Sequence, residues 1–83
     1  MNKLEYYADK KYGKYFLCEL KIKDAVVRHL DELQIYTHKA TPHVNSSGAT
    51  VMRLEIKEPT NFKDERAKQA VEIFLEALHA LHA

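Results

Sequence analysis

The run from Met52 to Lys57 alternates between apolar and polar side chains at every position. Because successive side chains of a β-strand point to opposite faces, this alternation predicts a strand over residues 49–57. One face would carry Met52, Leu54 and Ile56, and the other would carry Val51, Arg53, Glu55 and Lys57. A strand with one buried and one solvated face is typical of antiparallel sheets. The rest of the chain is therefore expected to supply partner strands and a cover for one sheet face.

Two earlier segments predict a hairpin that could supply such partners. Residues 3–8 (KLEYYA) and 14–22 (KYFLCELKI) have strand composition, and Gly13 between them can adopt a positive φ angle in the connecting turn. The apolar positions of the second segment alternate as Phe16, Cys18, Leu20 and Ile22. These four side chains are expected on the same sheet face as the apolar face of residues 49–57.

The segment between the hairpin and residue 49 allows two interpretations. Val26, Leu30 and Leu33 follow the helical period, and Asp24 is a suitable N-cap, so we favour a helix over residues 24–33. The β-branched pair Val26 and Val27 would also fit a continuous strand. A third strand is expected over residues 34–39 (QIYTHK), followed by turn residues at Pro42 and over 44–48.

The C-terminal segment predicts one long helix from Phe62 to the end of the chain, with Asn61 as its N-cap. Its apolar stripe consists of Ala67, Ala70, Val71, Phe74, Ala77, Leu78 and Leu81. This helix should lie across the sheet face formed by Phe16, Leu20, Met52, Leu54 and Ile56. The expected fold is one α+β domain over residues 1–83, in the order β-β-α-β-β-α. Its sheet would be four-stranded and mainly antiparallel, with the long C-terminal helix packed on one face.

Length and charge narrow the class of protein without identifying it. A chain of 83 residues with a net charge of +1 fits one small globular domain. Cys18 is the only cysteine, so no disulfide can form within the chain, and no apolar run resembles a signal peptide or a membrane span. We therefore expect a cytoplasmic protein without membrane attachment. A core this small supplies only about 3–5 kcal/mol of stability, which favours a homodimer.

Residues that could carry catalysis or hold a metal are few. With Gly13 and Gly48 as the only glycines, the chain has no glycine-rich phosphate loop. His79 and His82 are spaced to share a metal, but histidines in a last helical turn also suit the negative end of the helix dipole. Cys18 lies in an apolar alternation and is interpreted as a small core residue. We expect no metal, no cofactor and no enzymatic activity, with a small enzyme as the third alternative.

Exposed apolar residues favour a protein-binding surface. Leu17 and Val51 alternate away from the apolar sheet face, Ile73 falls on the polar side of the last helix, and Tyr15 lies near Leu17. Several such residues on a thinly stable domain suit a partner surface or a dimer. The first hypothesis is therefore a non-catalytic protein-interaction module. It would act as a small regulator, inhibitor or accessory subunit, for example an inhibitor of the kind carried by phages or plasmids.

The second hypothesis is a single-stranded nucleic-acid-binding protein. Tyrosines and lysines are interleaved near the N-terminus, so the rings could stack on bases while the ammonium groups meet phosphates. The residues concerned are Tyr12, Tyr15, Lys10, Lys11 and Lys14. The near-zero net charge and the presence of only three arginines argue against it.

Overall fold

The computed structural model describes residues 4–57 and 63–82. In chain order the elements are β1 (Leu4–Asp9), β2 (Gly13–Cys18), a single 3-10 turn (Leu20–Ile22), α1 (Lys23–Glu32), β3 (Thr37–Val44), β4 (Thr50–Ile56) and α2 (Asp64–His82). The predicted α+β class, the element order and the long C-terminal helix are confirmed. Helix is also confirmed for the segment that allowed a strand, although α1 starts at Lys23 and places Asp24 in its first turn.

The four strands form one fully antiparallel sheet in the order β1-β2-β4-β3. Phe16 of β2 lies opposite Tyr6 of β1 and Leu54 of β4, so these three side chains share a face. Both helices pack on this face, which we call the inner face. The opposite face, called the outer face, carries no helix of the described chain.

The hydrophobic core lies between the inner face and the two helices. α2 packs against β1, α1 packs against β3, and the two helices contact each other. The imidazole of His29 lies 3.0 Å from the carbonyl oxygen of Ala70, and the guanidinium of Arg66 donates to the carbonyl of Leu33. The buried core comprises Leu4, Phe16, Cys18, Val26, Leu30, Ile35, Met52, Leu54, Ile56, Ala67, Ala70 and Phe74.

The second strand ends four residues earlier than expected. β2 stops at Cys18, and the amide of Ile22 donates to the carbonyl of Glu19 at 3.2 Å, closing the 3-10 turn. Leu20 is therefore 53% exposed, and its predicted place in the sheet beneath α2 is wrong. The physical reason is that Ile22, which packs against the core, begins the helical period that Val26 and Leu30 continue.

The third strand was also misplaced, because residues 33–36 end α1 instead of forming a strand. Gln34 has a φ angle of 63°, its amide donates to Asp31, and the amide of Ile35 donates to Leu30. This pattern is a Schellman motif, with Gln34 at the position that glycine usually occupies. β3 then runs through Pro42, which was predicted to lie in a turn. An edge strand accommodates proline because one side of it needs no ladder hydrogen bonds.

The predicted N-cap Asn61 and the helix start at Phe62 lie outside the described residues. Over residues 4–57 and 63–82, no helix combines the length and the apolar character that a bilayer crossing requires.

Candidate functional site

The outer face carries three of the four residues predicted for a protein-binding surface, Leu17, Val51 and Tyr15, but Tyr15 is buried there. Leu17 lies opposite Arg53 in the ladder between β2 and β4, which places Val51 diagonally beside Leu17 on the same face. Glu5 of β1 lies opposite Leu17 on its other side. Leu17 and Val51 are both half-buried. Together they form an apolar strip across neighbouring strands.

A groove of about 620 Å³ opens over this strip. We call it the strand-end groove, because the ladder between β2 and β4 stops at Cys18 and Met52 while β4 continues back to Thr50. Its lining includes Leu17, Val51, Tyr7, Glu5 and Glu19, together with residues of the turn between β3 and β4. The volume lies in the range of small-molecule and peptide side-chain sites. The groove therefore has an apolar floor, one aromatic side and two carboxylates.

The turn that forms one wall of the strand-end groove is held by its own hydrogen bonds. The side-chain oxygen of Asn45 accepts from the amide of Ser47 at 3.0 Å, from its hydroxyl at 2.6 Å and from the amide of Ala49 at 3.1 Å. Gly48 adopts a φ angle of 86°, and its amide donates to the carbonyl of Asn45. Because the wall is already folded, a ligand would not have to order it on binding.

The other end of the outer face carries a tyrosine cluster, defined as Tyr7, Tyr12 and Tyr15. The rings of Tyr7 and Tyr15 stack with centroids 5.7 Å apart, and Tyr12 meets Tyr15 edge to face at the same distance. These contacts leave Tyr15 only 7% exposed, whereas Tyr7 is 41% exposed. Of the three rings, Tyr7 therefore presents the most surface between the cluster and the groove. The expectation of an open Tyr15 ring does not hold.

Arg53 lies beneath Tyr12 and is only 8% exposed, although it lies on the outer face. Its guanidinium carbon is 3.8 Å from the centroid of the Tyr12 ring. Its Nε atom donates to Glu55 at 3.2 Å, and its Nη1 atom lies 3.1 Å from Nδ1 of His43. An arginine can accept this degree of burial because its planar group is stacked and hydrogen-bonded at once.

Asp9 fastens the β1–β2 turn to the tyrosine cluster. Its carboxylate accepts from the amide of Tyr12 and from the hydroxyl of Tyr15, both at 2.8 Å. These two hydrogen bonds, the amide first, lower the pKa of Asp9. Burial, with the hydrogen bond to Asp9 as the second cause, raises the pKa of Tyr15 to about 12. The Tyr15 hydroxyl therefore remains a neutral donor to an ionised Asp9 at neutral pH.

The five residues predicted to bind nucleic acid do not share one face. Lys10 and Lys11 are exposed in the β1–β2 turn, next to the half-buried Tyr12. The ammonium of Lys11 lies 5.2 Å from the centroid of the Tyr12 ring. Lys14 belongs to the inner side of the sheet, where its ammonium lies 3.4 Å from Asp64 at the start of α2. A strand that followed Lys10 and Lys11 over the outer face would not reach Lys14.

Ile73, the fourth residue of the predicted protein surface, is 51% exposed on α2. It therefore lies across the sheet from Leu17 and belongs to a different surface. Burial raises the pKa of the Cys18 thiol to about 11, which fits its predicted place in the core. In the part of the chain that is described, no three His, Cys, Asp or Glu side chains are grouped to hold a metal ion. His79 is exposed, and the side chain of His82 lies outside the description.

Several residues of the outer face were not singled out from the sequence. His43 and Arg53 are far from Tyr12 along the chain, so no local pattern predicts their contact. Glu5 and Glu19 could have been predicted from the sequence, because alternation within their segments places each carboxylate on the outer face with Leu17. The asparagine of the Asn45 turn was recognised as turn chemistry, but its position beside the groove depends on the pairing of β2 with β4.

No protein-family model, curated protein or solved structure matches this chain.

Proposed function

We propose that this protein is a non-catalytic protein-interaction module that binds another protein through the outer face of its sheet. In this role it acts as a small regulator, inhibitor or accessory subunit. The observation that carries the proposal is the strand-end groove, whose apolar floor of Leu17 and Val51 lies on the outer face, which no helix of the described chain covers. A half-buried aliphatic strip beside an exposed tyrosine is the kind of surface that partner proteins bury.

Burial of this surface by a partner would contribute to the free energy of binding. Complete burial of an aliphatic side chain contributes about 1.5–3 kcal/mol, and Leu17 and Val51 would each contribute part of that amount. Tyr7 adds a ring whose hydroxyl donates to Glu5 at 3.0 Å, so its orientation is set before a partner arrives. Tyrosine is enriched among the residues that dominate binding energy at protein interfaces.

Nucleic acid is the less favoured partner for this face. Among the described residues, the lining of the strand-end groove includes Glu5 and Glu19 and no lysine, arginine or histidine. Phosphates would be repelled there, and the buried Tyr15 ring offers no open surface for stacking. The remaining support for nucleic acid is the short group of Lys10, Lys11 and Tyr12 at the β1–β2 turn.

Photo-crosslinking in cells of the native source tests the proposal. A photoreactive phenylalanine derivative replaces Val51 in one variant and Ile73 in a matched control, because Val51 is half-buried on the outer face whereas Ile73 is exposed on α2, on the other side of the sheet. The expected result is one dominant protein adduct from position 51 and none of that adduct from position 73. Adducts are identified by mass spectrometry, and a cross-linked second copy of this chain would establish homodimerisation as the use of the face.

Two outcomes would overturn the proposal. One is the same set of adducts from both positions, which would mean that the crosslinks report random encounters. The other is a crosslink from position 51 to nucleic acid, removed by nuclease treatment. In that case the Lys10→Glu, Lys11→Glu double variant shows whether the β1–β2 turn contributes, since replacing phosphate contacts weakens binding and its salt dependence together.

A further inference from the structure

We propose that His43 and Arg53 form a pH-sensitive latch, which holds Tyr12 over the outer face while His43 is neutral and loosens when His43 is protonated. The Nη1 atom of Arg53 lies 3.1 Å from Nδ1 of His43, and the guanidinium carbon of Arg53 lies 3.8 Å from the centroid of the Tyr12 ring. The latch therefore joins β3, β4 and the β1–β2 turn, which are distant along the chain. It acts on the outer face whatever molecule binds there, so it goes beyond the proposed function.

The chemistry of Arg53 determines where the neutral His43 ring carries its proton. An arginine side chain has N–H donors and no acceptor. The Nδ1 atom of His43, 3.1 Å from Nη1, must therefore be the acceptor, and the proton lies on Nε2. A protonated imidazole carries hydrogens on both nitrogens, so it has no lone pair left to accept this bond, and it would bring a second positive charge next to the guanidinium. The contact is therefore specific for neutral His43.

The partners of the two side chains decide which of them moves when the latch loosens. Arg53 is 8% exposed, and it keeps the hydrogen bond from its Nε atom to Glu55 at 3.2 Å. His43 is half-buried on an edge strand, and Arg53 is the hydrogen-bond partner that the described residues offer to its imidazole. We therefore expect the His43 ring to turn towards solvent while Arg53 stays with Glu55. Tyr12 then loses the edge-to-face contact in which its ring centroid lies 6.2 Å from that of His43.

The side chains around the latch leave histidine as the group that responds near neutral pH. Both helices lie on the other face, the residue opposite His43 in β4 is the uncharged Val51, and residues 45–49 carry no charge. The titratable and charged neighbours among the described residues are Tyr7 and Asp9 of β1, Lys10, Lys11 and Tyr12 of the β1–β2 turn, Tyr15 of β2, Lys39 of β3, and Arg53 and Glu55 of β4. Carboxyl groups ordinarily titrate below about pH 5, and tyrosines, lysines and arginines above about pH 9, so histidine is the side-chain type that changes charge between them.

The test is an NMR titration of isotopically labelled full-length protein from about pH 8 to about pH 5, the interval over which histidines commonly change charge. The ring nitrogen shifts of His43 report which nitrogen carries the proton. At the start of the titration we expect the proton on Nε2 and nuclear Overhauser contacts between the rings of His43 and Tyr12. As His43 is protonated, these contacts should disappear. The Nε–H signal of Arg53 and the ring signals of Tyr12 should shift with the same midpoint as the His43 ring.

Two variants of β3 assign the response to the latch. His43→Asn places a side-chain oxygen near the position of Nδ1 and does not titrate, so the signals of Arg53 and Tyr12 should stay constant over the same interval. His38→Asn removes an exposed histidine of the same strand and should leave the response of the parent unchanged. Circular dichroism of both variants at each end of the titration shows whether they remain folded as the parent is.

Four results would each overturn the latch. A proton on Nδ1 of His43 at the start of the titration would exclude the hydrogen bond from Arg53. A His43 ring that stayed neutral throughout the interval would remove the switch. Signals of Arg53 and Tyr12 that stayed fixed while His43 was protonated would show that the imidazole is not coupled to the tyrosine. A response of the same size in His43→Asn would assign the change to another group.

Discussion

The guanidinium carbon of Arg53 lies 3.8 Å from the centroid of the Tyr12 ring, joining the centre of the sheet to the β1–β2 turn. Tyr12 in turn covers Tyr15 and lies edge to face with His43 of β3, with ring centroids 6.2 Å apart. Through these contacts the outer face has a closed, tyrosine-covered half and an open half that contains the strand-end groove. The position of Tyr12 therefore decides how much of the sheet remains available to a partner.

The first prediction concerns the coupling between Arg53 and Tyr12. In a double-mutant cycle with Arg53→Lys and Tyr12→Leu, we expect a coupling free energy of about 1 kcal/mol, because lysine loses the planar stacking. Urea unfolding at pH 7 of the parent, both single variants and the double variant measures it. A coupling within about 0.3 kcal/mol of zero would mean that the stacked arrangement contributes nothing to stability.

The second prediction concerns acid stability and Asp9. Since hydrogen bonds from the Tyr12 amide and the Tyr15 hydroxyl lower the pKa of Asp9, the folded state binds its proton less readily than the unfolded state does. The stabilisation is then complete above the unfolded pKa of about 3.9 and is lost as the pH falls through the lower, folded pKa. We expect Asp9→Asn to melt below the parent at pH 7 and this difference to shrink below about pH 4.

Tyr15→Phe serves as the companion variant for Asp9. It removes the hydroxyl that donates to Asp9 but keeps the ring stacked on Tyr7. The difference in melting temperature between Tyr15→Phe and the parent should also narrow in acid, because protonation of Asp9 weakens the hydrogen bond that it accepts from the Tyr15 hydroxyl. If the difference in melting temperature between the parent and Asp9→Asn stayed constant from pH 7 to pH 2.5, the stabilising role of ionised Asp9 would be contradicted.

The strongest local patterns predicted their elements well. Residues 52–57 alternate with the period of a strand, and the apolar stripe of α2 follows the period of a helix. The residues buried as expected are Met52, Leu54, Ile56, Ala67 and Phe74. β3 could not be placed because its side chains are mostly exposed and its only proline resembles a turn signal. The preceding residues 34–36 were wrongly predicted as strand, because Gln34 adopts a conformation that is usual for glycine.

The third prediction follows from that conformation. Gln34→Gly should raise the free energy of unfolding by about 0.5–1 kcal/mol, because relief of the left-handed strain exceeds the added entropy of the unfolded chain. Gln34→Ala, which keeps a Cβ atom, should give no such gain. Chemical denaturation of the three proteins compares them directly. A destabilised glycine variant would indicate that the Gln34 side chain contributes interactions that outweigh the strain.

The candidate site was less predictable than the fold. Leu17 and Val51 were predicted because the alternation within one strand is enough to assign a side chain to a face of the sheet. Which residues meet on that face depends on the strand order β1-β2-β4-β3, which puts β2 beside β4. The covering of Tyr15 and the separation of Ile73 from Leu17 both arise from this long-range arrangement, so no local pattern contains them.

The fourth prediction concerns the reactivity of Cys18. Its thiol is buried in the core, and burial raises its pKa to about 11, so very little reactive thiolate is present near neutral pH. We expect Ellman's reagent at pH 7.5 to react at least about 100-fold more slowly with the native protein than with protein in guanidinium chloride, since access requires opening of the fold. Cys18→Ser supplies the blank. Equal rates in both conditions would place Cys18 outside the core.

The last prediction uses two adjacent residues of α2 that differ in burial. Phe74 is buried against the ring of His29, with centroids 5.2 Å apart, whereas Ile73 is half-exposed. Phe74→Ala should cost about 3–5 kcal/mol, which equals the expected stability of so small a core and would leave little folded protein. Phe74→Leu, with a smaller loss of volume, should remain folded with a cost of about 1 kcal/mol.

Ile73→Ala is the matched control, and its stability should stay within about 0.5 kcal/mol of the parent because alanine favours the helix and little burial is lost. Circular dichroism during thermal and urea unfolding measures all three variants. If Ile73→Ala were as damaging as Phe74→Ala, Ile73 would be buried in solution. Since its own chain leaves it exposed, the damage would then have to come from loss of a contact with a second molecule, and a dependence of the melting temperature on protein concentration would reveal that contact.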